Sequence, residues 1–254
     1  MTAESPVLTS LDEGVFGITL NRPRKRNALS SGMIELLHKA VEQADLDADA
    51  RVVVIRGAGK EFCAGLDLDE LLASADKSEK ENAESALRLG TLFEALRRLP
   101  KPVIALVQGR ALAGGAGLAT ACDLVLAAKS SQFGYPEIQR GFVPAMVTTL
   151  LRRLTGEKAA LDLILTGRVL KADEAQAAGL VSRVVPDAEL ERQGLELAAG
   201  LAASSGSALA LTKRLFYELD GKSLREGIEL GAQVNAVARS TPDFREALLR
   251  FLRA

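Results

Sequence analysis

Two short stretches of this chain carry residue types suited to carbonyl chemistry. Phe133-Gly134-Tyr135-Pro136-Glu137-Ile138 places a carboxylate behind a proline, in aromatic company. Desolvation there disfavours the charged form, raises the carboxyl pKa towards neutrality and makes the group usable as acid or base. Upstream, Leu112-Ala113-Gly114-Gly115-Ala116-Gly117 is a glycine-rich turn that leads into a helix start. Glycines allow close approach to the backbone, and a helix start leaves N–H groups unpaired with partial positive charge. A carboxylate beside such donors equips a site for enolate chemistry, because the donors hold the charge developing on a carbonyl oxygen. Each stretch also admits a plainer reading. The glycines fit a close-packed turn, and Glu137 fits an exposed first-turn glutamate favoured by the helix dipole.

A second turn repeats the logic. Cys63-Ala64-Gly65-Leu66-Asp67-Leu68 runs from a strand through small residues into a helix, so N–H donors from two strand ends could converge on one oxygen. Other chemistries lack their residues. No Gly-x-Gly-x-x-Gly follows a strand and no P-loop lysine pattern occurs. One histidine, His38, and two cysteines, Cys63 and Cys122, make no zinc set. No Gly-x-Ser-x-Gly elbow is present, and a lone helical histidine is a poor start for a Ser/His triad.

The elements that must position these turns can be read in order. Val7 to Leu11 and Val15 to Leu20 flank the turn Asp12-Glu13-Gly14, which predicts a hairpin. A basic loop, Asn21 to Asn27, follows, and then a helix after Ser30/Ser31 with Ile34, Leu37, Val41 and Ala44 on one face. Three buried strands, Val52 to Ile55, Val103 to Val107 and Asp123 to Ala127, each run into one of the turns. A helix carrying Leu89, Leu92, Phe93, Leu96 and Leu99 lies between the first two and is closed by Pro100-Lys101-Pro102. Short apolar strands alternating with helices predict an α/β core with parallel pairing, built as a coil of similar units. Beyond Val181 to Val185 the pattern is helical, which divides the chain into a core, residues 1–185, and a helical subdomain, residues 186–254. The segment from Leu71 to Arg88 is polar and alanine-rich, and reads as a lid.

Composition bounds the partners. The 254 residues are 48% hydrophobic and 26% charged, with a formal net charge of −1. This is an ordinary globular balance that predicts neither a nucleic-acid nor a membrane partner. Met1-Thr2-Ala3-Glu4-Ser5-Pro6 lacks the basic and apolar regions of a signal peptide, and no apolar run reaches membrane-span length. The expectation is a cytoplasmic protein with both cysteines reduced in the core.

Taken together, the chain resembles the crotonase superfamily, the enoyl-CoA hydratase/isomerase family. The resemblance rests on Asn21-Arg22-Pro23 with Asn27-Ala28-Leu29, Phe62-Cys63-Ala64-Gly65-Leu66-Asp67-Leu68, the Ala111 to Asp123 block, Phe133 to Glu137, Leu165-Thr166-Gly167 and Ala177-Ala178-Gly179-Leu180-Val181. It implies a spiral of ββα repeats with a helical C-terminal trimerisation region, assembled as a homotrimer or a dimer of trimers. It implies an acyl-CoA thioester as substrate, a place in fatty acid metabolism, no separate cofactor since CoA is part of the substrate, and no metal. The thioester oxygen would lie between the N–H groups of Leu66 and Gly114, with Glu137 as general acid/base. Arg24 and Lys25 would lie near the CoA phosphates, and Ala28, Ala64, Asp67 and Leu68 would line the adenine and pantetheine pocket.

One departure bears on the reaction. The family's two-glutamate hydratases carry their second carboxylate at the position of Gly117, which has no side chain. Gly141-Phe142-Val143-Pro144-Ala145-Met146, where many relatives have glycines after the proline, and the ending Arg253-Ala254 also differ. Addition of water to a 2-enoyl-CoA is the family's commonest activity and the first expectation. A Δ3,Δ2-enoyl-CoA isomerase working with one glutamate is the alternative. A non-catalytic acyl-CoA-binding protein is the reading from another class.

Overall fold

The computed structural model describes residues 5–253; the signal-peptide reading of Met1 to Glu4 and the terminal Ala254 lie outside the described residues. Strands β1 (Val7–Asp12) and β2 (Val15–Leu20) form the expected hairpin, closed by Glu13 and Gly14 at φ 44° and 82°. Helix α1 (Ser31–Leu46) starts where Ser30 Oγ accepts the N–H of Met33, and it buries Ile34, Leu37, Val41 and Ala44. Strand β3 (Val52–Gly57) leads through the Cys63–Asp67 turn into α2 (Leu68–Ala73).

Helix α3 (Glu79–Arg98) follows, opened by a capping box between Ser78 and Glu81. That box carries the helix well upstream of Leu89, so the second half of the expected lid is ordered helix with solvent on its outer face. Strands β4 (Val103–Val107) and β5 (Arg110–Leu112) precede α4 (Gly114–Ala121). Strands β6 (Leu124–Ala128) and β7 (Gln132–Gly134) then lead to a 3-10 turn at Pro136–Arg140.

After the turn come α5 (Ala145–Thr155), α6 (Glu157–Thr166), β8 (Val169–Lys171), α7 (Ala172–Ala177) and β9 (Arg183–Val185). The C-terminal part is α8 (Leu190–Ala202), α9 (Gly206–Glu218), α10 (Leu224–Arg239) and α11 (Pro242–Arg253).

Six strands form one sheet in the order β1-β2-β3-β4-β6-β9, parallel throughout except for the opening hairpin. Strands β3 and β4 are buried on both faces, which accounts for their uninterrupted apolar runs. A second sheet, β5-β7-β8, was not legible in the sequence because three-residue strands carry too little periodicity. It matters here because β5 delivers Gly114 and β7 delivers Glu137. The larger core lies under α1, α3, α4 and α5. Helix α8 covers the other face of the six-stranded sheet, packing Leu190 and Ala198 on Val52, Val54, Ile104 and Leu106. Among the described residues, no single helix is long and apolar enough to cross a membrane.

Candidate active site

The site is assembled by backbone pairing between loops. Leu29 bridges Leu66 and Cys63 bridges Ala111, both in parallel sense. In the first bridge the Leu29 N–H donates to Gly65 O (2.8 Å), while the Asp67 N–H donates to Leu29 O (2.9 Å). That alternation leaves the Leu66 N–H facing away from the ladder with no backbone or side-chain acceptor. The Gly114 N–H, first in α4, likewise has none. The two donors are neighbours: a Cβ built on Gly65 would stand 3.8 Å from Gly114 N.

Two contacts set how these loops meet. A Cβ on Gly115 would stand 2.8 Å from both Cβ and Sγ of Cys63, so only glycine lets the turns close. Ala113, immediately before α4, sits at φ 51°, ψ −125°, a conformation that costs an L-residue about 1–3 kcal/mol. It is held there because its N–H donates to Gly134 O (2.8 Å) and its carbonyl accepts the Gly117 N–H (3.0 Å). Strand β7 thus pins the Gly114 turn and carries the chain on to Glu137.

Glu137 is buried at 8% exposure, and its Oε2 has no hydrogen-bond partner. Burial pushes its carboxyl above the ordinary 4.5, opposed by its own backbone N–H and by the Arg140 charge. Its turn is fixed by the Phe142 N–H, which donates to Glu137 O (3.1 Å). A buried carboxylate oxygen left without a partner is costly in a core and useful where a substrate proton is to be taken.

Gly117 shows what stands where a second carboxylate would. A Cβ there would meet Val147 Cγ1 at 2.5 Å, Phe93 Cζ at 2.7 Å and Phe93 Cε2 at 2.9 Å. The space beside Gly117 is therefore filled by apolar side chains. In the sequence Phe93 reads as one member of a helical core stripe, and nothing in that spacing distinguishes a site wall from core.

The remaining expected residues gather on one rim, with unequal roles. Arg24, Lys25 and Leu68 are exposed, and Lys25 Nζ pairs with Asp69 Oδ2 at 2.7 Å. The Ala64 N–H donates to Arg26 O (3.0 Å), joining the basic loop to the Cys63 turn. Asp67 is buried and already engaged. Its Oδ2 takes Arg22 at 2.8 Å and its Oδ1 accepts the Asp69 N–H, capping α2. The Arg22 guanidinium beside it holds its carboxyl below the usual range. Arg22 also donates to the carbonyl of Ala28 at 2.5 Å, so the pair shapes the rim from behind.

Asn27, a residue without an expected role of its own, is fully buried at φ 56°. Its Nδ2 donates to Ala58 O and Glu61 O, and its Oδ1 accepts the Arg22 N–H. A positive φ suits asparagine better than most residues, which was the only signal available in the sequence. Cys63 and Cys122 are buried and free, and burial pushes the Cys63 thiol up to about 12, so it is no nucleophile at neutral pH. His38 stays at the surface, with Nε2 2.9 Å from Arg88 O.

A model of the enoyl-CoA hydratase/isomerase family matches residues 10–253. A Thermus thermophilus protein named "Putative enoyl-CoA hydratase" is 42% identical over 234 residues, covering 92% of each chain. The crystal structure of an enoyl-CoA hydratase from Mycobacterium smegmatis superposes with a TM-score of 0.94 at 34% identity, over 98% of this chain and 97% of that one. Human enoyl coenzyme A hydratase domain-containing protein 3 gives a TM-score of 0.94 at 30% identity, over 98% of both chains.

Proposed function

The chain belongs to the enoyl-CoA hydratase/isomerase family, and from that premise we propose that it moves a proton along an enoyl-CoA thioester with Glu137 as its only acid/base. The Leu66 and Gly114 N–H groups would hold the thioester oxygen as it becomes an enolate, each contributing about 3 kcal/mol at the transition state. Glu137 removes a proton from C2 of a 3-enoyl thioester, the charge moves onto the held oxygen, and the same carboxylic acid returns the proton at C4. The product is the conjugated 2-enoyl thioester.

The observation that carries this reading is the wall at Gly117, where Phe93 and Val147 occupy the direction a second carboxylate would take. One carboxylate suffices for a transfer between two carbons. Water addition also needs a group to position the water, and an apolar wall supplies none. Hydration of a 2-enoyl-CoA is kept as the second reading because the relatives named above bear that name. Purified protein given a 3-enoyl-CoA should raise the absorbance of the conjugated thioester. If it instead removes that absorbance from a 2-enoyl-CoA and leaves the 3-enoyl substrate untouched, hydration is the activity. No change with either would leave a non-catalytic acyl-CoA binder.

The same reading assigns the exposed Arg24 and Lys25 to the CoA phosphates, with Ala28, Ala64 and Leu68 on the rim and Asp67 holding it through Arg22. It assigns no cofactor, since a carboxylate and two N–H groups complete the chemistry, and places the enzyme in cytoplasmic fatty acid metabolism. We assign assembly to α10 and α11, whose Leu224, Ile228, Phe244, Leu248, Phe251 and Leu252 are exposed. That much apolar surface on a helical arm calls for a cover, and a homotrimer or dimer of trimers supplies one. Sedimentation of the protein as a monomer would overturn this.

A further inference from the structure

A cavity of about 950 Å³ lies between α3, α5 and α9, and Glu137, Leu66 and Gly114 are not among its lining residues. It adjoins the site through one layer of side chains. Gly90, Phe93 and Met146 line it, and Phe93 is the ring that stands against Gly117. Arg97 lines it too, four residues further along α3, a rise of about 6 Å on the same side of the helix. The cavity thus runs along α3 from the wall of the reaction site to a guanidinium.

Arg97 differs from its cationic neighbours in the cavity lining. Arg98 pairs with Glu94, Arg153 with Asp220, Arg214 with Glu218, and Lys213 with Asp123. Arg97 makes no ion pair among the described residues, and its Nε is buried without a hydrogen-bond partner. The guanidinium carbon lies 4.9 Å from the Tyr217 ring centroid, a cation–π contact that supplies no carboxylate or carbonyl acceptor. Arg97 as a whole is half-buried, but a buried N–H left unpaired is unfavourable until an acceptor meets it. A guanidinium edge matches a carboxylate, which it can take with two parallel hydrogen bonds. The carboxylates already on the lining, Glu94, Glu218 and Asp220, disfavour a dianion such as phosphate.

We propose that this cavity receives the far end of the acyl chain and that Arg97 recognises a carboxylate there, so that the preferred substrates are medium-length enoyl-CoA thioesters with a carboxylated tail. Entry requires the Phe93 ring to turn aside, a side-chain rotation rather than a backbone change. The inference rests on the enoyl-CoA reading above for the orientation of the substrate, and deepens it by naming the substrate class.

The test compares 3-octenoyl-CoA with the thioester of the same chain length that ends in a carboxylate. Turnover is followed by absorbance, and binding of the two saturated analogues is measured separately by calorimetry on Glu137→Gln protein. The carboxylated compound should be favoured about tenfold or more in kcat/KM and in affinity. In Arg97→Leu that ratio should fall to about one, and Arg97→Lys should restore part of it. Equal or better use of the methyl-ended compound by the native enzyme overturns the proposal, whatever the variants do. So does the absence of binding by either analogue. A carboxylate preference in binding with no turnover of either substrate would sink the catalytic reading while upholding the role of Arg97.

Discussion

Phe93 Cζ stands 2.7 Å from the point where a side chain on Gly117 would begin. The absence of a second carboxylate is thus built into the packing around that position, and it involves two elements besides α4. Phe93 belongs to α3 and Val147 to α5, and both are buried at 3% exposure. A methyl group at 117 has to displace one of them. Gly117→Ala should lower stability by about 2 kcal/mol, and Gly117→Glu by more, because overpacking forces neighbouring side chains off their preferred rotamers. Denaturant unfolding measures both. Gly117→Glu alone should gain no hydratase activity. A stable, hydrating Gly117→Glu would show that the wall yields and remove the chief support for single-carboxylate chemistry.

Glu137 joins activity and stability with opposite signs. Its carboxyl is held above 4.5 by burial, so the native state keeps its proton at pH values where the unfolded chain has released it. The native state then binds more protons than the unfolded one, and stability falls as pH rises through the window between the two pKa values. Glu137→Gln removes that loss. The variant should be more stable than the native protein above pH 4.5, with the gap levelling off once the native carboxyl is ionised. Its turnover should be abolished. In the native enzyme kcat/KM should drop on the acid side at a pH above that of an ordinary glutamate, since a base must be ionised to take a proton. A melting-temperature series against pH, run beside the rate profile, checks both limbs. Coincident stability curves would mean that the carboxylate is better solvated than its burial implies.

The Gly114 turn, in its proposed oxyanion role, gives a prediction that weighs chemistry against binding. Gly115 is pressed against Cys63 so closely that a Cβ would stand 2.8 Å from its Sγ. Gly115→Ala must push the Cys63 turn outward and carry the Leu66 N–H with it, along with Ala64 and Leu68, while Arg24, Lys25 and Ala28 sit on a separate loop. Loss of one preorganised donor costs about 3 kcal/mol, or roughly a hundredfold in kcat. The expected signature is a fall in kcat larger than the rise in KM that displaced Ala64 and Leu68 would bring. An equal effect on both would place the damage in substrate binding instead.

Much of this site could be read from residue order alone, and the limits have physical causes. Glu137 and Gly114 announce themselves because a carboxylate behind Pro136 and a double glycine ahead of a helix are local patterns. The hairpin, α1 and the buried strands are legible for the same reason: their periodicity is contained within each element. What fills the space at Gly117 is a relation between three helices, and Phe93 looks like any core residue in its own stripe. Arg97 is hidden differently. A basic residue in the last turn of a helix is the ordinary complement to the dipole, and only the pairing of every other lining cation marks it out. Asp67 shows the converse, since its place in the motif draws attention to the pocket while its side chain is engaged by Arg22 and the α2 cap.

The C-terminal helices are joined to the six-stranded sheet and α3 by a buried polar cluster, and that joint yields the last prediction. Lys213 on α9 reaches Asp123 Oδ2 at 2.7 Å and donates to Leu96 O (2.8 Å) and Lys101 O (2.9 Å), so one ammonium ties α9 to the end of α3 and the start of β6. Asp123 also accepts from Tyr217 Oη (2.9 Å) and from the Val103 N–H (2.7 Å). Burial pushes the Asp123 carboxyl up and the Lys213 amine down, while their mutual attraction opposes both shifts. Lys213→Met leaves a buried carboxylate and two carbonyls without their cation, a loss of about 3–5 kcal/mol. Asp123→Asn in the same chain removes the stranded charge and keeps an oxygen for the Val103 N–H. The double variant should therefore be more stable than Lys213→Met alone, a coupling that unfolding of the four proteins in the cycle measures directly. Simple additivity of the two losses would mean that α9 is held by its apolar face and that the ion pair contributes nothing to the joint.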